Sequence, residues 1–170
     1  MPLHTDRLVL EPVSHAHDRD LFEASLASRA ELLPWMPWAL GLSIDAQSAY
    51  ADRALLEWES HSPAFAITEH GAAVGVIGLM REGDHEYEIH YWLATDRTGR
   101  GYVTEAARAV VAWARDVLGA HRIVLHAGMD NRRSLSIAER LGFIRDGELE
   151  GGMTGGSVAV FPAYSHHLDL

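Results

Sequence analysis

The sequence has no cysteine among its 170 residues. Disulfides, thiolate metal sites and a cysteine nucleophile are therefore excluded, and the absence fits a reducing compartment. Positive charge is also scarce, because 14 lysine and arginine residues stand against 24 acidic ones and the formal net charge is -10. Without an overall basic field to attract a polyanion, nucleic-acid binding is not expected.

Long apolar runs are missing as well. The first residues reach a charged side chain at Asp6 with no apolar core behind it, which is not the pattern of a secretion signal. The longest uncharged stretch, residues 151–168, is rich in glycine and contains Pro162 and two histidines, the wrong composition for a membrane span. We therefore expect a cytoplasmic protein that does not enter the membrane.

What remains is ordinary globular composition. Apolar residues make up 48% of the chain and charged residues 22%, and no repeat or linker-like tract divides it. A chain of 170 residues matches the common size of one domain. The sequence therefore predicts a single domain over residues 1–170.

Apolar periodicity and turn residues predict the order of the elements. Strands are predicted at residues 8–12, 65–68, 73–80, 87–94 and 122–127, with further strand signals near residues 143–149 and 158–168. Helices are predicted at about residues 15–28, 44–61, 103–118 and 132–141, with a loop at residues 33–38. This order, β-α-α-β-β-β-α-β-α-β-β, predicts an α/β or α+β sandwich with a mixed sheet and helices on both faces.

A junction with two glycines joins the strand at residues 87–94 to the helix at residues 103–118. Gly99 and Gly101 let the backbone turn tightly, and free amide groups at the helix N-terminus point toward a bound anion. Arg97 and Arg100 add positive charge at the same place. The junction predicts a phosphate or pyrophosphate site, although a lone Gly-x-Gly is also common where a turn merely precedes a packed helix.

Two nucleotide-binding motifs do not fit this junction. A dinucleotide-binding loop follows an all-apolar strand and has a third glycine, whereas this strand carries Glu88 and His90 and the third position holds Thr104. A P-loop needs a Gly-Lys-Ser/Thr sequence, which does not occur in the chain.

Six short segments, in order along nearly the whole chain, resemble one protein family. They are Thr5-Asp6-Arg7-Leu8-Val9-Leu10, Pro34-Trp35-Met36-Pro37-Trp38, Glu88-Ile89-His90-Tyr91-Trp92-Leu93, Gly99-Arg100-Gly101-Tyr102-Val103-Thr104-Glu105-Ala106, Asn131-Arg132-Arg133-Ser134 and Leu141-Gly142-Phe143. The set is similar to the GNAT superfamily of acetyl-CoA-dependent N-acetyltransferases, and within it to the RimJ/RimL type that acetylates the N-termini of ribosomal proteins. The resemblance implies a mixed, mostly antiparallel central sheet of about seven strands.

The resemblance also implies a site for acetyl-CoA, as co-substrate. Its pyrophosphate would lie on the glycine junction and the helix start, at Arg97, Gly99, Arg100, Gly101, Tyr102, Val103 and Thr104. The junction departs from the family pattern at its first position, which is Asp96 here. The pantetheine arm would lie along the end of the preceding strand and against the next helix, at Trp92, Leu93, Ala94 and Asn131.

Two further residues receive a chemical role. Ser134 matches the position that protonates the departing thiolate in RimL-like enzymes, although helix capping also explains Asn131 and Ser134. Strand alternation places Glu88, His90 and Trp92 on one face, with the two titratable groups about 7 Å apart. Glu88 is the predicted base that takes the proton of the attacking amine. A solvated polar strand face is the alternative for Glu88, and packing is the alternative for His90.

The acceptor is expected to be a primary amine, with the N-terminal α-amine of a protein or peptide as the first candidate. Trp35, Met36, Trp38 and His90 are the predicted acceptor-binding residues, with core anchoring as the alternative for the tryptophans. A small-molecule amine (an aminoglycoside, polyamine or amino acid) and a catalytically silent CoA-binding scaffold stay as alternatives. The family often pairs, so a homodimer is an expectation. Eleven histidines occur without a His-x-x-x-His pattern, and no metal is predicted.

Overall fold

The described residues, 1–151 and 159–167 of this computed structural model, form one sheet with helices packed against it. The strands are β1 (Leu3–His4), β2 (Val9–Pro12), β3 (Ala64–Glu69), β4 (Ala72–Arg81), β5 (Glu86–Leu93), β6 (Arg122–His126), β7 (Ile144–Gly151) and β8 (Ala159–His167). The helices are α1 (Asp18–Ala27), α2 (Arg29–Leu32), α3 (Ile44–Glu59), α4 (Tyr102–Leu118) and α5 (Arg132–Arg140). Short 3-10 helices lie at His15–His17, Pro37–Gly41 and Thr95–Arg97.

The sheet has the strand order β1-β2-β3-β4-β5-β6-β8-β7. Neighbouring strands are antiparallel except for β5 and β6, which run parallel because α4 carries the chain back across the sheet between them. The predicted mixed, mostly antiparallel sheet is confirmed. The described residues contain eight strands rather than about seven, because the two-residue β1 pairs with β2. The predicted strand ends at Val158 and Leu168 lie outside the described residues.

Helices cover both faces of the sheet, as predicted. Alternate residues of β3 and β4 point to opposite sides, so each strand contributes to two separate cores. One core joins Phe65 and Ile77 to the apolar face of α4. The other joins Ala66 and Val76 to residues of α1 and α3, such as Leu21. The small side chains on this second face let α1 and α3 approach the strands closely.

The α4 helix begins at the glycine junction and ends at the predicted stop. Apolar residues at three- and four-residue steps bury one side of it, including Ala106, Ala107, Val110 and Ala114. Gly119 ends the helix in the left-handed conformation, at φ 64°. Gly101 precedes the helix, also left-handed, at φ 80°. Both ends of α4 therefore depend on glycine.

The parallel pairing of β5 and β6 stops partway along β5. Its last matched residues are Glu88 and Val124, so the remainder of β5, up to Leu93, has no partner on that side among the described residues. On the other side, β5 stays paired with β4 as far as Leu93 and Gly75. The sheet is therefore split at its middle, next to the start of α4.

No helix within the described part of the chain combines the length and the apolar character needed to cross a bilayer.

Candidate functional site

A cleft of about 420 Å³ opens where the sheet is split. One wall is the end of β5 and the start of α4, and the other wall is the first turns of α5. The volume falls within the usual range for small-molecule sites. Of the predicted site residues, the cleft is lined by Trp35, Met36, Trp92, Leu93, Gly99, Gly101, Tyr102, Val103, Thr104, Asn131 and Ser134.

The glycine loop, residues 98–101, is open toward the cleft. Gly99 and Gly101 adopt φ values of 77° and 80°, which favour glycine. A Cβ atom built on Gly99 would meet nothing within 4 Å, so the backbone there faces open space. Among the described residues, no acceptor pairs with the amide N–H groups of residues 99–104, and the first helical bond of α4 runs from Glu105 N–H to the Gly101 carbonyl at 3.0 Å. These unpaired donors form an anion-binding arrangement.

Two buried hydroxyl groups that line the cleft have no hydrogen-bond partner among the residues that the structure describes. They are Thr104 Oγ1, in the first turn of α4, and the hydroxyl of Tyr91, on β5. Burial raises the pKa of Tyr91 to about 12, and the Ser134 side chain lies next to it, outside ordinary hydrogen-bond geometry. A buried polar group without a partner is destabilising, and a ligand that bonds to it removes that cost.

Asn131 caps α5, which was the alternative explanation for this residue. Its side-chain oxygen accepts a hydrogen bond from the Ser134 backbone N–H at 3.2 Å. Both side chains also line the cleft, so the cap fixes their positions at its wall. Capping and ligand contact are therefore compatible at these two residues.

The two arginines of the junction are held by acidic neighbours outside the cleft lining. Arg97 Nε donates to Glu69 at 2.8 Å, and a second ion pair joins Arg97 to Asp96. Arg100 lies 3.7 Å from Glu69. The Tyr102 hydroxyl also donates to Glu69, and this bond, together with the arginines, lowers the pKa of Glu69 against the opposing effect of burial. The positive charge expected from Arg97 and Arg100 is therefore balanced locally, a long-range pairing that the sequence pattern does not show.

Other arginines, for which no charge role was predicted, do line the cleft. They are Arg132, Arg133 and Arg140, all on α5. Neither Arg132 nor Arg133 forms an ion pair with another described residue. The signal was present in the sequence as basic residues at both ends of one short helix, but only the fold shows that this helix forms a cleft wall.

An N-terminal anchor, formed by Thr5, Arg7 and Glu105, fixes the glycine loop from behind. The Glu105 carboxylate accepts hydrogen bonds from the Thr5 hydroxyl at 2.6 Å and from the Arg7 backbone N–H at 2.9 Å, and it pairs with the Arg7 guanidinium at 2.6 Å. Arg7 also donates to the Arg100 carbonyl at 2.9 Å, and its guanidinium lies 4.7 Å from the centre of the Tyr102 ring. The first and fourth of the resembling segments therefore meet in space.

The alternation predicted for β5 is present. Tyr87 and Ile89 are buried in the core, whereas Glu88 and His90 lie on the opposite face. Glu88 does not line the cleft itself and pairs instead with Nδ1 of His126, at 3.0 Å from Oε1.

His90 lies on the same face as Glu88. Its side chain is accessible to solvent, but the protein around it lowers its pKa, with Glu88 opposing. Gly78 lies opposite on β4, and a Cβ there would come within 2.6 Å of Nε2 of His90. The glycine therefore makes room for the imidazole.

The remaining predicted residues lie around the cleft rather than in it. Trp38 is 43% exposed and packs against Trp92, with ring centres 5.7 Å apart. Ala94 is buried, and its amide donates to the Val74 carbonyl at 2.8 Å. Because amide directions alternate along a strand, the Leu93 amide points away from β4 and into the split.

In the described part of the chain, no three potential metal ligands come together.

Comparison with known proteins gives a consistent result. A family model described as an acetyltransferase (GNAT) domain matches residues 7–144. The ribosomal-protein-serine acetyltransferase of Escherichia coli (strain K12) is 24% identical over 150 residues, which cover 86% of this chain and 84% of the relative. A Bacillus subtilis (strain 168) protein named provisionally as a ribosomal N-acetyltransferase is 31% identical over 85 residues, 49% of this chain, and the match spans less than half of the relative, 46%.

A solved structure of RimL, a ribosomal L7/L12 alpha-N-protein acetyltransferase in complex with coenzyme A, has the same fold. It superposes with a TM-score of 0.91 at 19% identity, covering 99% of both chains. The microcin C7 self-immunity acetyltransferase MccE, in complex with acetyl-CoA and AMP, superposes with a TM-score of 0.90 at 20% identity, covering 96% of this chain and 93% of that one.

Proposed function

Because the chain belongs to the acetyltransferase (GNAT) family, we propose that it transfers the acetyl group of acetyl-CoA directly to the N-terminal α-amine of a protein or peptide. One observation carries this proposal: a single cleft gathers unpaired amide donors at residues 99–104 and two buried, unpaired hydroxyls, on Thr104 and Tyr91. A phosphate-bearing ligand with further polar groups along its length would bond to all of them.

The residues present fit acetyl-CoA, which supplies an activated acetyl thioester when bound. The amides of residues 99–104 and the N-terminal dipole of α4 suit a pyrophosphate. Arg132, Arg133 and Arg140 provide cations at the same cleft, the role first given to Arg97 and Arg100. The unpaired edge of β5 offers backbone groups to an extended amide-containing arm, in the manner of an added strand.

Three groups would perform the transfer. Glu88 accepts the proton that the amine loses as its nitrogen attacks the thioester carbon, directly or through water. The Leu93 amide, which points into the split, donates to the carbonyl oxygen as negative charge develops there. The Ser134 hydroxyl donates a proton to the sulfur as the carbon–sulfur bond breaks. The chain has no cysteine that could carry the acetyl group, which favours direct transfer in one step without an acyl-enzyme.

The choice of acceptor rests on chemistry and on the relatives. An α-amine, with a pKa of about 8, loses its proton near neutral pH more easily than lysine at about 10.4. The net charge of -10 favours a cationic acceptor. Relatives of 24% and 31% identity carry ribosomal acetyltransferase names, which favours a ribosomal-protein N-terminus. The Trp38–Trp92 pair lies beside the Glu88 face and would contact the acceptor's first side chains.

Three measurements test the proposal. Acetyl-CoA at about one hundred times its dissociation constant should stabilise the protein by about 2.7 kcal/mol, raising Tm by several degrees. Mass spectrometry should then show acetylation of basic N-terminal peptides in preference to aminoglycosides and polyamines. Glu88→Gln and Ser134→Ala should each lower kcat, whereas Glu23→Gln, at an exposed position of α1, should not. The absence of any thermal shift would contradict the proposal. Preferential acetylation of a small amine would show that the acceptor is a small molecule rather than a peptide N-terminus.

A further inference from the structure

Glu88 has an ion-pair partner that no sequence pattern indicated, His126 at the end of β6. We propose that His126 is a positioning residue for the base: it holds the Glu88 carboxylate in place and, by gaining or losing its own proton, sets when that carboxylate can accept the proton of the amine. The inference rests on the proposed function, because it concerns the base of that reaction.

The contact follows from the register of the split sheet. The parallel pairing places Val124 opposite Glu88, so His126, two residues further along β6, lies on the same face as Glu88 just beyond the last paired position. There the imidazole turns back toward the carboxylate, and Nδ1 lies 3.0 Å from Oε1. This contact occupies one carboxylate oxygen. The other oxygen has no partner among the described residues and is available to an amine or a water molecule.

The pair is partly shielded but still reaches solvent. The side chains of His126 and Glu88 are 23% and 20% exposed. This degree of burial strengthens the attraction between the two groups compared with a surface pair, and the remaining exposure lets His126 exchange its proton with water. A pair that served only to hold the two strands together would not need to exchange protons with water.

The charges around His126 favour its protonated form. Its pKa is raised, first by the hydrogen bond to Glu88 and also by the charges of Glu88 and Glu82, while burial and Arg122 oppose the shift. Arg122 is itself paired with Glu86 at 3.0 Å, which weakens its lowering effect on the pKa of His126. From β8, the residue matched to His126 is the uncharged Ala163.

The neighbouring His90 belongs to the same electrostatic environment. The pKa of His90 is lowered by desolvation, against the charge of Glu88, so its surroundings disfavour a second positive charge there. Among the described side chains, His126 is the titratable group paired directly with Glu88.

Two protonation states of the pair then have different chemistry. With a protonated imidazole, the carboxylate is in an ion pair and is a weaker base. With a neutral imidazole that keeps its Nδ1–H, the carboxylate is still held but its negative charge is no longer balanced, so it accepts a proton more readily. Transfer should therefore become faster as the pH rises through the pKa of His126, which lies above the ordinary 6.5.

Two substitutions separate holding from titration. His126→Asn places an amide donor near the position of Nδ1 but cannot titrate, whereas His126→Ala removes the contact. We expect His126→Ala to lower kcat by about tenfold or more, with little change in KM for acetyl-CoA. His126→Asn should recover part of that loss. The control is His70→Asn, an exposed histidine at the β3–β4 turn with φ 52°, a conformation that asparagine tolerates; it should behave as wild type.

The pH profile provides the decisive readout. In wild type, kcat/KM should show an inflection that stays at the same pH when acceptor peptides with different amine pKa values are compared. In His126→Asn that inflection should disappear, leaving only the one that follows the acceptor. If His126→Ala retains the wild-type kcat and pH profile while Glu88→Gln abolishes transfer, the role proposed for His126 is wrong, but the proposed function stands. If wild type acetylates no amine, the proposed function itself fails.

A second measurement does not depend on activity. The imidazole resonances of His126, identified by their loss in His126→Asn, can be titrated by NMR in wild type and in Glu88→Gln. Removing the carboxylate's charge should lower the pKa of His126, because Glu88 is the main cause of its elevation. An identical titration in the two proteins would overturn the coupling on which the inference depends.

Discussion

Replacing Glu105 with glutamine tests how strongly the N-terminal anchor holds the glycine loop. The carboxylate receives the Thr5 hydroxyl, the Arg7 backbone N–H and the Arg7 guanidinium. Glutamine keeps one oxygen acceptor for the first two bonds. It replaces the second oxygen with an amide donor that faces the guanidinium, so the charge-assisted contact is lost and a donor meets a donor.

The expected loss in the free energy of unfolding lies between the loss for a surface ion pair and the loss for a buried one. The Glu105 side chain is only 17% exposed, but Arg7 is 48% exposed, so solvent screens part of the interaction. A surface pair contributes about 0–1 kcal/mol and a hydrogen bond to a charged group about 1.5–3 kcal/mol. We therefore expect Glu105→Gln to lower the free energy of unfolding by about 2 kcal/mol. For a domain of this size, that corresponds to a fall in Tm of about 4–8 °C.

Thermal unfolding followed by circular dichroism measures this change. The matched control is Glu23→Gln, which removes an exposed carboxylate paired with Arg19 at 2.9 Å and should alter stability by less than about 0.5 kcal/mol. Glu105→Gln should also weaken acetyl-CoA binding, because the loop loses its support. If the two variants have the same Tm, the anchor is not a stabilising element and the argument for loop support fails.

The pH dependence of this effect has a definite sign. Burial opposes ionisation of Glu105, but the bonds from Thr5 and Arg7 outweigh it and hold the pKa below its ordinary 4.5. Stability from a lowered carboxyl pKa is present above the unfolded value and is lost as the pH falls through the folded value. The difference in stability between wild type and Glu105→Gln should therefore be constant near neutral pH and shrink below pH 4.5.

Three further substitutions probe other parts of the molecule. Gly101→Ala, at φ 80°, should destabilise the protein by about 1–2 kcal/mol and reduce the thermal shift with acetyl-CoA. Its control is Gly41→Ala, whose added Cβ atom would have no neighbour within 4 Å and which should cause neither change. Tyr91→Phe removes a buried, unpaired hydroxyl, so calorimetry should show unchanged or slightly higher stability without ligand and a smaller gain with acetyl-CoA; clear destabilisation without ligand would contradict this. The pKa of His15 is raised by hydrogen bonds to two aspartates, so wild type should lose this contribution as the pH rises above 6.5, and the Tm of His15→Gln should lack that decline.

Local patterns predicted the scaffold well. The apolar spacing in α4 and the glycine that follows it depend on neighbouring residues alone, and the helix lies within one residue of its predicted bounds. The turn at His70 and Gly71, both with positive φ, lies in the gap left between the strands predicted at residues 65–68 and 73–80. These features could be predicted because each is determined by a short stretch of chain.

Contacts between distant segments were not predictable in the same way. Arg97 and Arg100 looked like phosphate ligands because the sequence shows their position but not the Glu69 carboxylate that reaches them from β3. Likewise, Glu88 appeared as a lone carboxylate on a strand. Its contact with His126 depends on the register of a parallel pair joined through a helix, which local periodicity does not determine.

The interrupted pairing of β5 and β6 also bears on how the protein behaves when empty. Backbone donors and acceptors past Glu88 form an edge in the interior of the sheet rather than at its rim. Such an edge accepts any extended segment that fits, including part of another copy of the chain. Occupation by acetyl-CoA would block that association, so preparations kept saturated with the donor should resist aggregation longer than preparations freed of it.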